Sequence, residues 1–328
     1  MNLQAKWINL LNPIYIEDEA KRKKIQIIIF FTITFGLTYL LGLILCFREY
    51  IDPESFAGFM MILPLSSVSI AKFYTEGRNN EKHKFYSGMI FFFILSILLF
   101  TLSSLKVINA EQFECINYLL VLISSIAIII YSTNLSDFYI FKNIKIGAFL
   151  IGYFMLTKII PIVFFSILEG EQVSYDGILN YVFFLPIIFF TTIYYFLGEE
   201  YGWRGFLQDI LFDRFGKRLG VVILGVCWSL WHLPLQFTLY SPKTPILGTV
   251  NYLIFVIGIS IFLGYVYMKT KNVWFCALIH ALNNGAGVIL SDYSYESVST
   301  FSSIVQMLIL VSLLYVPFIF TKEYNKDI

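Results

Sequence analysis

Charge is what this chain has least of. Only 14% of its 328 residues are Asp, Glu, Lys or Arg, against about 25% in a soluble globular domain. The 23 basic and 22 acidic residues nearly cancel, leaving a formal net charge of +1. No basic field therefore exists to hold nucleic acid. Cysteine is scarce as well. Cys46, Cys115, Cys227 and Cys276 stand singly, which offers neither a disulfide framework nor a zinc-ribbon spacing. Three histidines occur in the whole chain. There is no GxSxG elbow, no HExxH and no pair of aspartates in facing apolar segments, so the common serine, zinc and aspartyl hydrolase signatures are absent. No internal repeat or low-complexity tract is present.

Apolar residues fill the space that charge leaves. They make up 58% of the chain, with a mean hydropathy of +0.75. Ten runs are long enough to cross a bilayer: 25–47, 56–74, 85–105, 116–134, 146–168, 178–208, 219–240, 248–268, 273–291 and 302–321. The expected fold is all-α, a polytopic transmembrane helical bundle of about ten spans. Loop charge tests that count. With the N-terminus placed in the cytoplasm, 19 of the 23 Lys and Arg residues fall on inside segments, Arg48, Lys106 and Lys243 fall outside, and Lys158 lies within a span. This asymmetry predicts ten spans with N- and C-termini cytoplasmic. Residues 209–218 mix apolar and charged positions at helical spacing and are expected along the cytoplasmic interface, turning before Gly220. The first span, about 23 apolar residues after Lys21-Arg22-Lys23-Lys24, is too long for a signal-peptide core and is expected to stay as an anchor. An integral, multi-pass membrane protein follows, of the cell membrane if the chain is bacterial.

In residues 1–177, about five spans, the first four spans are chemically plain. All five are expected to shield a site or to contact a substrate or partner. Residues 178–328 hold nearly everything polar that a membrane resists, in three places between 199 and 284. A charge at the bilayer centre costs about 2.5–3.5 kcal/mol, so such groups are functional candidates. The first place is Glu199-Glu200-Tyr201-Gly202-Trp203-Arg204. Glu200 and Arg204 are four apart and pair on one helix face, in the favourable Glu-before-Arg order. Glu199, about 100° round the helix, is left without that partner. The second is Trp228-Ser229-Leu230-Trp231-His232-Leu233-Pro234, where Trp228 precedes His232 by one turn and Pro234 frees a backbone carbonyl. The third is His280-Ala281-Leu282-Asn283-Asn284, with His280 and Asn284 one turn apart.

Burial in apolar surroundings favours the neutral form of a carboxyl group, which suits a general base working on water. An imidazole and a carboxamide on one helix face suit stabilisation of an oxyanion. A second imidazole can hold the water or protonate a leaving amine. The set describes hydrolysis of an amide by activated water, without a covalent nucleophile. Taken singly, each element has a plainer reading: a Glu–Arg staple, a core histidine, interhelical glue from an asparagine. Their joint occurrence on three neighbouring segments favours a site.

At these residues the sequence resembles the CAAX protease and bacteriocin-processing family of intramembrane endopeptidases, also called CPBP or Abi. Its pattern runs EExxxR, FxxxH, then HxxxN or HxxxD. The first motif is complete from Glu199 to Arg204 and the third from His280 to Asn284. The second is met by Trp228 to His232, with Trp where Phe is usual. The resemblance covers roughly residues 180–290. It implies that Glu199 activates water, that His232 helps to position it, and that His280 and Asn284 stabilise the oxyanion. Glu200, Arg204 and Trp228 would organise the site. It implies a membrane-associated peptide or protein as substrate, a prenylated or precursor peptide among the candidates, and no cofactor. The alternative is zinc held by Glu199, His232 and His280 with an open fourth position. Two non-protease readings stand beside it: a scaffold binding a partner membrane protein through spans one to five, and a secondary transporter.

Overall fold

The structure is a computed structural model that describes residues 15–47, 52–77, 82–132, 140–169, 174–291 and 298–325. Lys6, Arg48, Arg78 and Lys326 of the loop-charge count lie outside the described residues. Twelve helices and no strand make up the described residues. Five come first: α1 (Glu19–Phe47), α2 (Pro53–Thr75), α3 (Lys82–Ser104), α4 (Ala110–Ser132) and α5 (Ile144–Glu169). A short arm, α6 (Tyr175–Phe189), leads into α7 (Ile193–Phe215), followed by α8 (Lys217–Trp231) and α9 (Leu233–Tyr240). The chain closes with α10 (Pro245–Thr270), α11 (Val273–Ser291) and α12 (Phe301–Leu314), the last extended by a 3₁₀ turn at Val316–Phe320.

The helices bear out an all-α polytopic bundle. Among the described residues seven helices are long and apolar enough to cross a membrane, and nine spans result if each of two bent pairs counts as one. The ninth apolar run forms α11, a 19-residue helix that carries His280, Asn283 and Asn284 and stands beside those nine. The run 178–208 is not one straight helix. At 1.5 Å per residue it would be roughly 45 Å long, well beyond a ~30 Å hydrocarbon core. It breaks at Phe190–Thr192, where α6 and α7 meet at 79°. There the backbone tightens to i→i+3 bonds, and the hydroxyls of Thr191 and Thr192 compete for the carbonyl of Ile188, a known way to disrupt a helix.

The second bend, 47° between α8 and α9, follows from Pro234. A proline lacks the N–H that would bond the carbonyl four residues earlier. That carbonyl, on Leu230, instead accepts a hydrogen bond from the Tyr39 hydroxyl of α1 at 2.8 Å. The ring of Pro234 sits where a side chain on Gly42 would have to go, 2.5 Å from a Cβ placed there. Residues 209–215 do not turn along the interface before Gly220. They continue α7, and the chain reverses at Gly216, whose φ of +75° is one that few L-residues adopt.

One apolar core runs from Phe30 in α1 to Tyr315 beyond α12, across the expected boundary at 177. The N-terminal helices therefore build the wall of the polar region. Gly198 and Gly202 share one face of α7 and bring its backbone against α2. A Cβ on Gly202 would stand 2.3 Å from Pro64 Cβ, and one on Gly198 would stand 3.0 Å from the Met61 carbonyl. Trp231 of α8 donates to the Thr38 hydroxyl and the Thr34 carbonyl of α1 at 2.8 and 3.1 Å. The start of α1, the ends of α2, α7 and α10 and the start of α8 surround one cavity of about 740 Å³, lined by Arg22, Lys23, Lys72, Asp209, Lys217 and Lys271 among others. These helix ends share one end of the bundle, as the loop-charge alternation requires.

Gly202→Ala is expected to lower stability by about 1–3 kcal/mol through overpacking against Pro64. Gly152→Ala, where the new Cβ meets nothing within 4 Å, is expected to be neutral or slightly stabilising. Thermal unfolding of both variants in the same detergent checks the contrast.

Candidate active site

The polar residues singled out from the sequence converge. Glu199 and Glu200 end a regular stretch of α7, and a π turn at Trp203–Leu207 follows at once, a helix irregularity that recurs at functional sites. Both carboxylates are buried, as are Arg204, His232 and His280.

Glu200 is the hub. Arg204 Nη1 lies 2.9 Å from its Oε2 and 3.0 Å from its Oε1, the pairing expected from i,i+4 spacing. His280 Nδ1 lies 3.0 Å from the same Oε1. An ionised carboxylate only accepts, so Nδ1 carries the proton and the other nitrogen, Nε2, is turned away from Glu200. Arg204 spends a second nitrogen on the Ser260 hydroxyl of α10 at 3.3 Å. Its guanidinium also lies over the Trp228 ring, 4.3 Å from the centroid, a stacking that the planar cation favours.

Glu199 is held differently. Its Oε2 accepts from the indole N–H of Trp228 at 3.0 Å and from that of Trp203 at 3.4 Å. Both donors engage one oxygen. Trp203 is thus a site residue that the motif reading passed over, although it stands four residues after Glu199 and helical spacing alone puts it on the same face. Ser260, by contrast, left no signal in the sequence, because α10 reaches Arg204 only through tertiary packing.

His232 lies at the bend between α8 and α9. Its Nδ1 is 3.0 Å from the Trp228 carbonyl. A carbonyl cannot donate, so Nδ1 is again the protonated nitrogen and Nε2 is the acceptor of the neutral ring. Trp231, Tyr252 and Tyr240 surround it, with ring centroids 4.7, 5.3 and 6.1 Å away. His280 is flanked edge-to-face by Phe196 and Trp228 at 5.4 and 5.3 Å. One turn beyond His280, Asn284 is exposed, and its Oδ1 accepts from Asn283 at 3.2 Å.

Contacts therefore join Glu199, Glu200, Arg204, Trp228 and His280 directly, bind His232 to them through the Trp228 carbonyl, and leave Asn284 at the rim. Among the described residues no three His, Cys, Asp or Glu side chains form a group that could hold a metal ion. Glu199, His232 and His280, the zinc alternative, do not form such a group, although each imidazole gives away only Nδ1–H and keeps Nε2, as metal-ligating histidines do.

An all-α membrane bundle with a buried carboxylate and imidazole centre defines the class. Residues 181–286 match the model of a family described as type II CAAX prenyl endopeptidase Rce1-like. The chain is also 23% identical over 273 residues to the CAAX prenyl protease 2 of Methanococcus maripaludis, covering 80% of this chain and 79% of that protein. Together these matches support membership of the CAAX protease and bacteriocin-processing family, a family of intramembrane endopeptidases. No solved structure matches the chain.

Arg204→Met is expected to destabilise the protein by about 3–5 kcal/mol, because it strands a buried charge on Glu200. Adding Glu200→Gln should return much of that loss. A double-mutant cycle of melting temperatures in detergent checks the coupling.

Proposed function

We propose that this protein is an intramembrane endopeptidase that hydrolyses a peptide bond in a membrane-associated substrate by activated water, with Glu199 as the general base. One observation carries the reading. Two indoles fix a single oxygen of the buried Glu199 carboxylate, which keeps the side chain in place while Oε1 is the oxygen left to take a proton. A base held rigidly in a low-dielectric site needs little reorganisation during reaction.

In this reading water sits between Glu199 Oε1 and His232 Nε2. Its proton passes to Glu199 as its oxygen bonds to the substrate carbonyl carbon. The carbonyl oxygen becomes an oxyanion and is stabilised by His280 Nε2–H and the Asn284 carboxamide. The amide nitrogen then takes the proton from Glu199 as the carbon–nitrogen bond breaks, and it departs as an amine. For Nε2 of His280 to donate while Nδ1 donates to Glu200, the ring must carry both protons. The Glu200 carboxylate offsets that charge. Arg204 and the imidazolium together then balance Glu199 and Glu200, and the cluster is neutral inside the membrane. No step in this scheme needs a metal or another cofactor.

The substrate is a peptide able to enter the bilayer, a prenylated C-terminus or an apolar precursor peptide. The CAAX prenyl protease relative supports the first of these. The scaffold and transporter readings have no observation in their favour.

The test is cleavage of a quenched-fluorescent farnesylated peptide by the purified protein in nanodiscs. Cleavage is expected to persist in excess chelator and to fall by at least about 10²–10⁴-fold in Glu199→Gln, with an unchanged melting curve. Full activity in Glu199→Gln overturns the general-base role. Activity lost to chelator and regained with zinc overturns the metal-free scheme.

A smaller effect separates the two indoles. Trp228→Phe removes the 3.0 Å bond to Glu199 and should reduce kcat more than Trp203→Phe, which removes the 3.4 Å one. Steady-state kinetics on the same peptide decides between them.

A further inference from the structure

Two tyrosines stand against His232, and the scheme above uses neither. Tyr252 lies on α10 and Tyr240 ends α9. Helical spacing brings them there. Gln236 follows His232 by four residues and Tyr252 follows Gly248 by four, so each pair shares one helix face. The two faces meet. A Cβ placed on Gly248 would stand 3.2 Å from Gln236 Oε1. One turn away, the rings of Tyr252 and His232 pack at 65° with centroids 5.3 Å apart. Tyr240 closes the group, 5.7 Å from Tyr252 and 6.1 Å from His232.

The indole and imidazole donors around them are spent. Trp203 and Trp228 give their N–H to Glu199, Trp231 gives its own to α1, and each histidine gives Nδ1–H to an oxygen. The Tyr252 hydroxyl is different. A tyrosine hydroxyl in apolar surroundings usually finds a protein partner, yet this one has no hydrogen bond to any of the described residues. The residue is half-buried rather than sealed, and its phenol interacts electrostatically with the Glu199 carboxylate. Its ring packs on His232, the imidazole assigned to the water. The neighbours of His280, the imidazole assigned to the oxyanion, are instead Phe196 and Trp228.

One step of the scheme calls for a further group. The proton that Glu199 takes from water must reach the departing nitrogen. The two indoles that fix Glu199 Oε2 also keep the carboxyl group from swinging after that nitrogen. A hydroxyl accepts one hydrogen bond while it donates another, which an indole N–H cannot do.

We propose that Tyr252 is a catalytic residue that passes the proton from Glu199 to the leaving nitrogen. The proposal rests on the endopeptidase reading. As the carbon–nitrogen bond breaks, its electron pair goes to nitrogen, and nitrogen takes the hydroxyl proton of Tyr252. The phenol oxygen takes the Glu199 proton in the same step. Glu199 ends as the carboxylate and Tyr252 as the neutral phenol, and the products are a carboxylic acid and an amine. No charge is left on the tyrosine, which spares the site the cost of an unpaired buried phenolate.

The test is Tyr252→Phe, which keeps the ring against His232 and removes only the hydroxyl. Two probes are compared in nanodiscs: the farnesylated quenched-fluorescent peptide, and its twin with an ester oxygen in place of the scissile nitrogen. An alcohol leaves with far less help from a proton than an amine does, so general-acid assistance matters mainly for the amide. In Tyr252→Phe, kcat for the amide is expected to fall by about 10²–10⁴-fold. KM and the melting curve should not change, and kcat for the ester should fall far less. An unchanged kcat for the amide overturns the inference and leaves the endopeptidase reading standing. An equal fall for amide and ester also overturns it, assigning Tyr252 only to the positioning of His232. A raised KM at unchanged kcat overturns it as well, making the hydroxyl a group that binds substrate. If the unaltered protein cleaves neither probe, the endopeptidase reading falls and takes the inference with it.

Discussion

Charges taken out of water must cancel close by, and that constraint organises this molecule. Glu200 and Arg204 are both fully buried, and each would cost several kcal/mol if left alone. The i,i+4 spacing lets them meet on one helix. The carboxylate then has capacity to spare, and His280 of α11 uses it. The arginine also has capacity to spare, and Ser260 of α10 and the face of Trp228 on α8 use that. One ion pair thus ties four helices together. The bilayer offers little hydrophobic drive for helix association, since lipid tails are as apolar as the helices, so such polar contacts and close backbone packing carry the architecture.

Glycine and proline supply the close packing. Gly202 lets α7 lie against Pro64 of α2, and Gly42 lets α1 receive Pro234. Pro234 in turn ends the regular helix at His232 and hands a free carbonyl to Tyr39. The bend and its cap come from different ends of the chain. This explains why helices without any motif are packed into the wall of the site: α1 caps α8 and anchors Trp231, while α2 supports the helix carrying both glutamates.

The two histidines show how context divides similar groups. Each gives its Nδ1–H to an oxygen, but one oxygen belongs to a carboxylate and the other to a neutral backbone carbonyl. Only the first can offset a positive ring. The neutral partner leaves His232 Nε2 as an acceptor, the role that the proposed scheme gives it toward water, and the charged partner suits His280 to the donor role proposed for it.

Much of this was legible in the chain itself. Long apolar runs determined a helical membrane protein, because about 20 uninterrupted apolar residues fit a spanning helix and not the shorter strand of a barrel. The spacing from Glu200 to Arg204 determined their pairing, and the same spacing pointed to Trp203, where it went unread. The shape of the spans was not legible. Hydropathy registers a run of apolar residues but not a break such as that at Thr191 and Thr192, which depends on local hydroxyl competition. Nor could one dimension reveal that Glu200 meets His280 or that Ser260 completes Arg204. Those pairs lie 80 and 56 residues apart. Local spacing reaches one or two helical turns, so only the folding of separate helices into one bundle could decide them.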